Sequence, residues 1–292
     1  MDDERATIRR ASGPTSGRRA ALARWLTAPD NALAARTAVN RIWAQHFGTG
    51  IVPSVSDFGE LGDRPTHPEL LDWLAVQLRD GDRSLKELRR LIVTSATYRQ
   101  SSRTRPEAAM VDAGNLLLWR ANRRRLSAEE LRDTLLFVAG DLREDPRGGP
   151  AYDAFAFEDD HSPRYLYEQH DVEDPAAWRR TLYRTVVRSV ADPWLETFDC
   201  ADPNVSVPAR VETTTALQAL ALLNSSFVLS RAEHLAARAG TEDAPVDALV
   251  RLTLGREPGP LERKSLLAHA AEHGLASAAR VVLNLSELAY LD

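Results

Sequence analysis

THPELLDWLAVQLRDGDRSLKELRRLIV, residues 66–93, decides the fold class. Leu70, Leu71, Trp73 and Leu74 recur at helical spacing, and Leu88, Leu91 and Ile92 do so again after Ser84. Each run opens on a capping signal, Thr66 with Glu69 and Ser84 with Glu87. In such a box the hydroxyl accepts an orphan amide of the first turn, and the glutamate reaches back to the cap's own N–H. A third box, Ser127 with Glu130, precedes Leu131, Leu135 and Val138. Upstream, Leu22, Trp25 and Leu26 read as one helix face. Val39, Ile42, Trp43 and Phe47 read as another, after the start signal Pro29-Asp30-Asn31 and before a terminating Gly48. The chain is therefore expected to be mainly α, a compact multi-helix domain.

Residues 144–176, EDPRGGPAYDAFAFEDDHSPRYLYEQHDVEDPA, are rich in Pro, Gly and acids. They predict a long irregular acidic excursion, or a join between two lobes at 18–143 and 177–292. TLYRTVVRSV, 181–190, is dominated by β-branched and aromatic residues and predicts a strand, with YDAFAF as its local partner. This is the small β element of the expected fold. A long helix should run from about Thr214 to Ala239, with Leu217, Leu220, Leu223 and Phe227 facing the core. Shorter helices are expected near 244–254 and 260–273, and a last one ends about Leu288. Residues 1–17, charged and then Ser/Gly/Pro-bearing, read as a disordered lead or linker stub before a domain spanning 18–292.

At 292 residues and 43% hydrophobic, the chain can bury one large core or two modest ones. A formal charge of −5 argues against a general affinity for nucleic acid, which needs a positive field. Cys200 is the only cysteine, so an internal disulfide, a thiolate zinc site and a C-x-x-C-H haem attachment are excluded within this chain, and no cofactor is expected in it. The N-terminus lacks the apolar core of a signal peptide, and no run of about 18 apolar residues suggests a membrane span. The chain reads either as cytoplasmic or as the C-terminal piece of a longer, exported protein.

A longer pattern joins these pieces: Asn40-Arg41-x-Trp43, His46-Phe47-Gly48-x-Gly50, Asp57-Phe58-Gly59 and His67-Pro68-Glu69-Leu70-Leu71-Asp72-Trp73, then LIVTSATYRQSS, NRRRLSAEELRD, GGP, TTxxxQALALLN and a terminal NLSELAYLD. It resembles the domain of unknown function 1553, the C-terminal PSD domain of large planctomycete proteins, from about residue 17 to 292. Asp82-Arg83 and Ala216-Leu217 depart from the family's usual residues. The resemblance implies a periplasmic or exported setting and upstream domains as protein partners, one cytochrome-c-like and one uncharacterised. It further implies an auxiliary or interaction role beside enzymes that degrade sulfated polysaccharides. It implies no particular reaction.

The chemistry-bearing residues each carry two readings. Asp57 and His67 are the candidate catalytic acid and base of a hydrolase, with Arg123 and Arg124 gripping an anionic substrate beside a capped helix. His46, Glu60, Asp63 and Arg64 crowd the same loop. The competing reading spends Thr66, Pro68 and Glu69 on starting a helix, and the arginines on a solvated face. Gly48-Thr49-Gly50 lacks the strand and the lysine of a phosphate loop, and Asp57-Phe58-Gly59 lacks the rest of a kinase. Gln218 and Asn224 are expected to face one way along their helix. HAAEH, 269–273, spells an inverted zinc-protease motif at a helix's fraying end, where the dipole alone favours histidine, so no metal is expected there.

Overall fold

A computed structural model describes residues 16–81, 84–143 and 149–291, so most of the expected leader and the Asp82-Arg83 departure lie outside the described residues. The fold is mainly α. The chain divides into two compact units between Arg124 and Arg125. That boundary lies upstream of the join expected across 144–176.

The first unit holds α1 (Arg18–Leu26), α2 (Ala32–Phe47), α3 (Pro68–Asp80), α4 (Leu85–Val93) and α5 (Pro106–Val111). Asn31 starts α2 by accepting the Leu33 and Ala34 amides, and Gly48 ends it at φ +81°, a left-handed conformation that suits glycine. The core is the apolar face of α2, with Val39, Ile42, Trp43 and Phe47 set against Leu71, Leu74 and Leu78 of α3 and Leu88 and Ile92 of α4. Trp43 and Phe47, one turn apart, stack at 4.1 Å. The expected face of α1 does not form, since Leu22 and Leu26 are exposed and Ala21 is the buried residue. Thr66 is not a cap either. Its hydroxyl donates to the Ile51 carbonyl at 3.2 Å, and His67 occupies the cap position without a capping bond.

A two-residue strand, β1 (Arg124–Arg125), leads into the second unit, where α6 (Ala128–Ala139) starts with both bonds of the Ser127–Glu130 capping box in place. The remaining elements are β2 (Ala156–Asp160), β3 (Ser162–Leu166), α7 (Pro193–Thr197), α8 (Ala216–Asn224), α9 (Ser226–Ala239), α10 (Pro245–Leu254), α11 (Pro260–His273), α12 (Leu275–Leu283), α13 (Ser286–Ala289) and β4 (Tyr290–Leu291). The core gathers round α9. Val228, Ala232, Leu235 and Ala239 pack with Leu131 and Leu135 of α6, Leu249 of α10, and Ala278, Ala279 and Val282 of α12. The small residues let helices lie close, so branched neighbours fill the space between them.

Three expectations change in this unit. The β element is the antiparallel hairpin β2–β3, register Ala156↔Leu166 to Asp160↔Ser162, inside the supposedly irregular excursion. Residues 181–190 form no strand. The Asp133 carboxylate takes both the Thr181 amide (2.7 Å) and its hydroxyl (2.6 Å), winding Thr181–Tyr183 into a 3₁₀ turn, so only an isolated bridge joins Arg184 to Tyr152. The long helix breaks at Ser225, whose hydroxyl caps α9 through the Val228 amide.

Leu217, Leu220 and Leu223 of α8, expected in the core, are instead 70%, 50% and 39% exposed. Leu220→Ser is accordingly expected to change stability by less than about 0.5 kcal/mol. A leucine held in the core would cost about 2–5 kcal/mol on truncation, and urea unfolding separates the two cases. No helix among the described residues is long and apolar enough to cross a membrane.

Candidate functional site

The 47–67 loop is held open by α2. Asn40, fully buried, donates to the Val52 carbonyl (2.9 Å) and accepts the Val52 amide (2.8 Å), as a strand neighbour would. Gly50 is required there, since a Cβ would lie 2.5 Å from the Val52 carbonyl oxygen and 2.6 Å from Asn40 Nδ2. Asp57 turns its carboxylate onto the Gly59 amide (2.8 Å), closing a local turn. His67 Nδ1 lies 2.9 Å from the Thr66 hydroxyl, which donates to Ile51 and so accepts the ring N–H.

A cleft of about 60 Å³ opens beside His67, walled by Trp43, Ile51, Thr66 and Asn115. Asp57, Arg123 and Arg124 do not line it. Glu60, Asp63 and Arg64 are exposed, and His46 is tied to the Ile42 carbonyl (2.8 Å) with its ring edge near Tyr98. The proposed acid and base therefore do not meet in this cleft. Gln218 and Asn224 also separate. Gln218 is buried in an ion-pair network, while the exposed Asn224 accepts from Arg280 (3.2 Å).

Arg125, the third arginine of the basic run, is the buried one. It pairs with Asp199 (2.7 Å) and donates to the Phe198 carbonyl, the Thr213 carbonyl and Gln218. In the HAAEH stretch, His269 meets the Ser277 hydroxyl (2.8 Å) and His273 lies 3.6 Å from Glu272. Among the described residues no cluster of three His, Cys, Asp or Glu side chains is placed to hold a metal.

A roomy concavity lies in the second unit, a cleft of about 700 Å³ between the start of α6 and residues 180–210. The Ser127 cap fixes the first turn of α6, and Glu129 and Asp133, one turn apart, line the same cleft. Arg210 grips Glu129 with two hydrogen bonds, 2.5 and 2.8 Å. Burial opposes ionisation of Glu129, yet the Arg210 bonds outweigh it and hold the carboxyl below its ordinary range. Arg184 pairs with Asp192 (3.2 Å), whose other oxygen caps α7 at the Trp194 and Leu195 amides. Cys200, 3.6 Å from Glu129, is pushed up to about 11 by burial and by that neighbouring charge.

Tyr167 and Asp192 also wall a second cavity of about 260 Å³, whose lining is aromatic: Trp178, Trp194 and Phe227, with His170 and Arg132. Trp194 packs on Phe198 (4.6 Å) and Phe227 (5.7 Å). Burial lowers the His170 pKa, which keeps the imidazole neutral, one donor and one acceptor, at neutral pH.

A family model described as PSD1, protein of unknown function (DUF1553), matches residues 18–270. The chain belongs to the PSD1 family. No match is found among curated proteins or among solved structures. In this PSD1 domain the Glu129/Asp133 pair was legible as an i, i+4 couple behind a capping box, though nothing marked it as facing a cleft. Tyr167 and Arg184 carry no local signal, and although Asp192-Pro193 is a helix-start signal, nothing in it marks Asp192 and Trp194 as facing a cavity.

Proposed function

We propose that this PSD1 domain is an auxiliary, non-catalytic binding domain of an exported, planctomycete-type multidomain protein, and that it holds polysaccharide for enzymes that break it down. The observation that carries this is the cleft of about 700 Å³ in which three of the lining carboxylates are already partnered. Glu129 is matched by Arg210, Asp192 by Arg184, and Asp133 by the Thr181 amide and hydroxyl. A general acid or base needs a pKa near the working pH. Here Glu129 is held down and Cys200 up, each away from neutrality. Fixed, paired donors and acceptors suit a polyhydroxylated chain, which offers many hydroxyls and no charge to displace the pairs. The exported setting comes from the family resemblance, and the exposed leucines of α8 are assigned to contact with neighbouring domains of a longer polypeptide. The hydrolase alternative, with Asp57 and His67 as acid and base on an anionic substrate, has weaker support because Asp57 does not line the cleft beside His67.

Affinity electrophoresis against neutral, sulfated and carboxylated polysaccharides tests this. Retardation by at least one gel is expected, lost in Arg210→Ala, a partly exposed pair worth about 0–1 kcal/mol to folding. Release of reducing ends would replace the auxiliary role with the hydrolase. No retardation on any gel would remove the polysaccharide reading altogether.

A further inference from the structure

The charge balance of the aromatic cavity bears on which sugar the domain takes. Arg132 stands in its wall with its terminal nitrogens committed to the Arg179 carbonyl (3.1 Å), the Thr181 hydroxyl (3.3 Å) and the Ala177 carbonyl (2.7 Å). Its guanidinium also lies 5.4 Å from the Phe227 ring centre, and that of Arg231 lies 4.9 Å from Trp178. A cationic ligand would meet these positive charges on rings whose faces already bind cations. An anionic ligand would meet the Glu168 and Asp192 carboxylates, and would face an Arg132 guanidinium that already makes three hydrogen bonds. The cavity therefore selects a neutral group.

Its polar fittings select further. His170, neutral and half-buried, can both give and accept a hydrogen bond, and Ser226 and Glu168 stand beside it in the lining. The Trp194 indole N–H is buried without a hydrogen-bond partner. A purely apolar ligand would strand these groups. A ring with an apolar C–H face and a hydroxylated edge satisfies both the aromatic and the polar walls. At about 260 Å³ the cavity lies just below the range of drug-sized pockets, room for one such ring. The wider cleft begins on the other side of Tyr167 and Asp192.

We propose that the Trp178/Trp194/Phe227 cavity is a subsite for one neutral pyranose unit of a glycan whose remaining units lie in the adjoining cleft. This rests on the polysaccharide-binding reading and narrows it to uncharged sugar at this position.

The test is isothermal titration of the full chain with cellohexaose, xylohexaose and laminarihexaose, with sulfated cello-oligosaccharide and with indole. Wild type, Trp194→Ala and His170→Ala are compared, with fold checked by circular dichroism. At least one neutral hexamer is expected to bind and quench tryptophan fluorescence, with affinity about tenfold or more weaker in Trp194→Ala and several-fold weaker in His170→Ala. His170→Ala removes a half-buried ring, so it keeps the test open should Trp194→Ala fail to fold. Binding of the sulfated chain alone, unchanged in both cavity variants but lost in Arg210→Ala, would overturn the subsite while leaving the cleft as the binding site. Indole binding that excludes every sugar would overturn it in favour of an aromatic ligand. No binding of any sugar would overturn the subsite together with the reading beneath it.

Discussion

Arg231→Met is expected to destabilise the second unit by about 3–5 kcal/mol, the usual cost of removing one partner from a buried ion pair. Arg231 is 0% exposed. From the middle of α9 it binds the Asp141 carboxylate, and it reaches Glu173 and the Val172 carbonyl at 3.2 Å each. His234, one turn on, bridges the same two acids at 2.9 and 3.3 Å. The guanidinium thus pins the segment around 171–178 to the helix at the centre of the core. Methionine would fill much of the space but leave two carboxylates facing each other with no guanidinium between them. Arg231→Lys keeps the charge and loses the planar fork, so it should fall between wild type and Arg231→Met. Because Arg231 also lies against Trp178, a wall of the aromatic cavity, tryptophan fluorescence should report the loosening before global unfolding. An unfolding free energy from urea titration for Arg231→Met within about 1 kcal/mol of wild type would mean that apolar packing alone holds the segment.

What could be read along the chain follows the range of the interactions concerned. Capping and periodicity are local, and Ser84, Ser127, Asn31 and Gly48 start or stop helices where the residues say they should. The 181–190 run looked like a strand because β-branched residues dominate it, but a single distant carboxylate, Asp133, claims the Thr181 amide and hydroxyl and no neighbouring strand completes a ladder. The leucines of α8 keep helical spacing and yet point outward, since periodicity identifies a face without saying what covers it. The basic run shows the same limit. Its three arginines are equivalent as letters, and burial alone makes Arg125 the structural anchor. The cleft and the aromatic cavity were illegible for a stronger reason: residues 60 and more apart line them, and several come from chain without regular structure.

Asn40→Ala carries the second large expected effect, about 2–6 kcal/mol in the first unit. The amide side chain satisfies both the N–H and the C=O of Val52, and Val52 is only 3% exposed. Alanine leaves both groups buried and unpaired, at about 1–3 kcal/mol each. Asn40→Asp keeps the acceptor, loses the donor and buries a charge, so it offers no rescue. Gly50→Ala should reproduce much of the defect by a different route, because its added methyl would strike the Val52 carbonyl and the Asn40 amide. Hydrogen exchange reads the mechanism directly: the Val52 amide should lose protection in Asn40→Ala, and so should the Thr66 amide, which bonds the neighbouring Ile51 carbonyl at 2.9 Å. Unchanged protection at both, with stability within about 1 kcal/mol of wild type, would show that the loop is held by the packing of Ile51 and Val52 instead. The same variant separates the two units functionally. If the second-unit cleft alone binds glycan, Asn40→Ala loosens the 47–67 loop and leaves the affinity unchanged, whereas a parallel loss of affinity would make the loop and its His67 cleft part of the binding site.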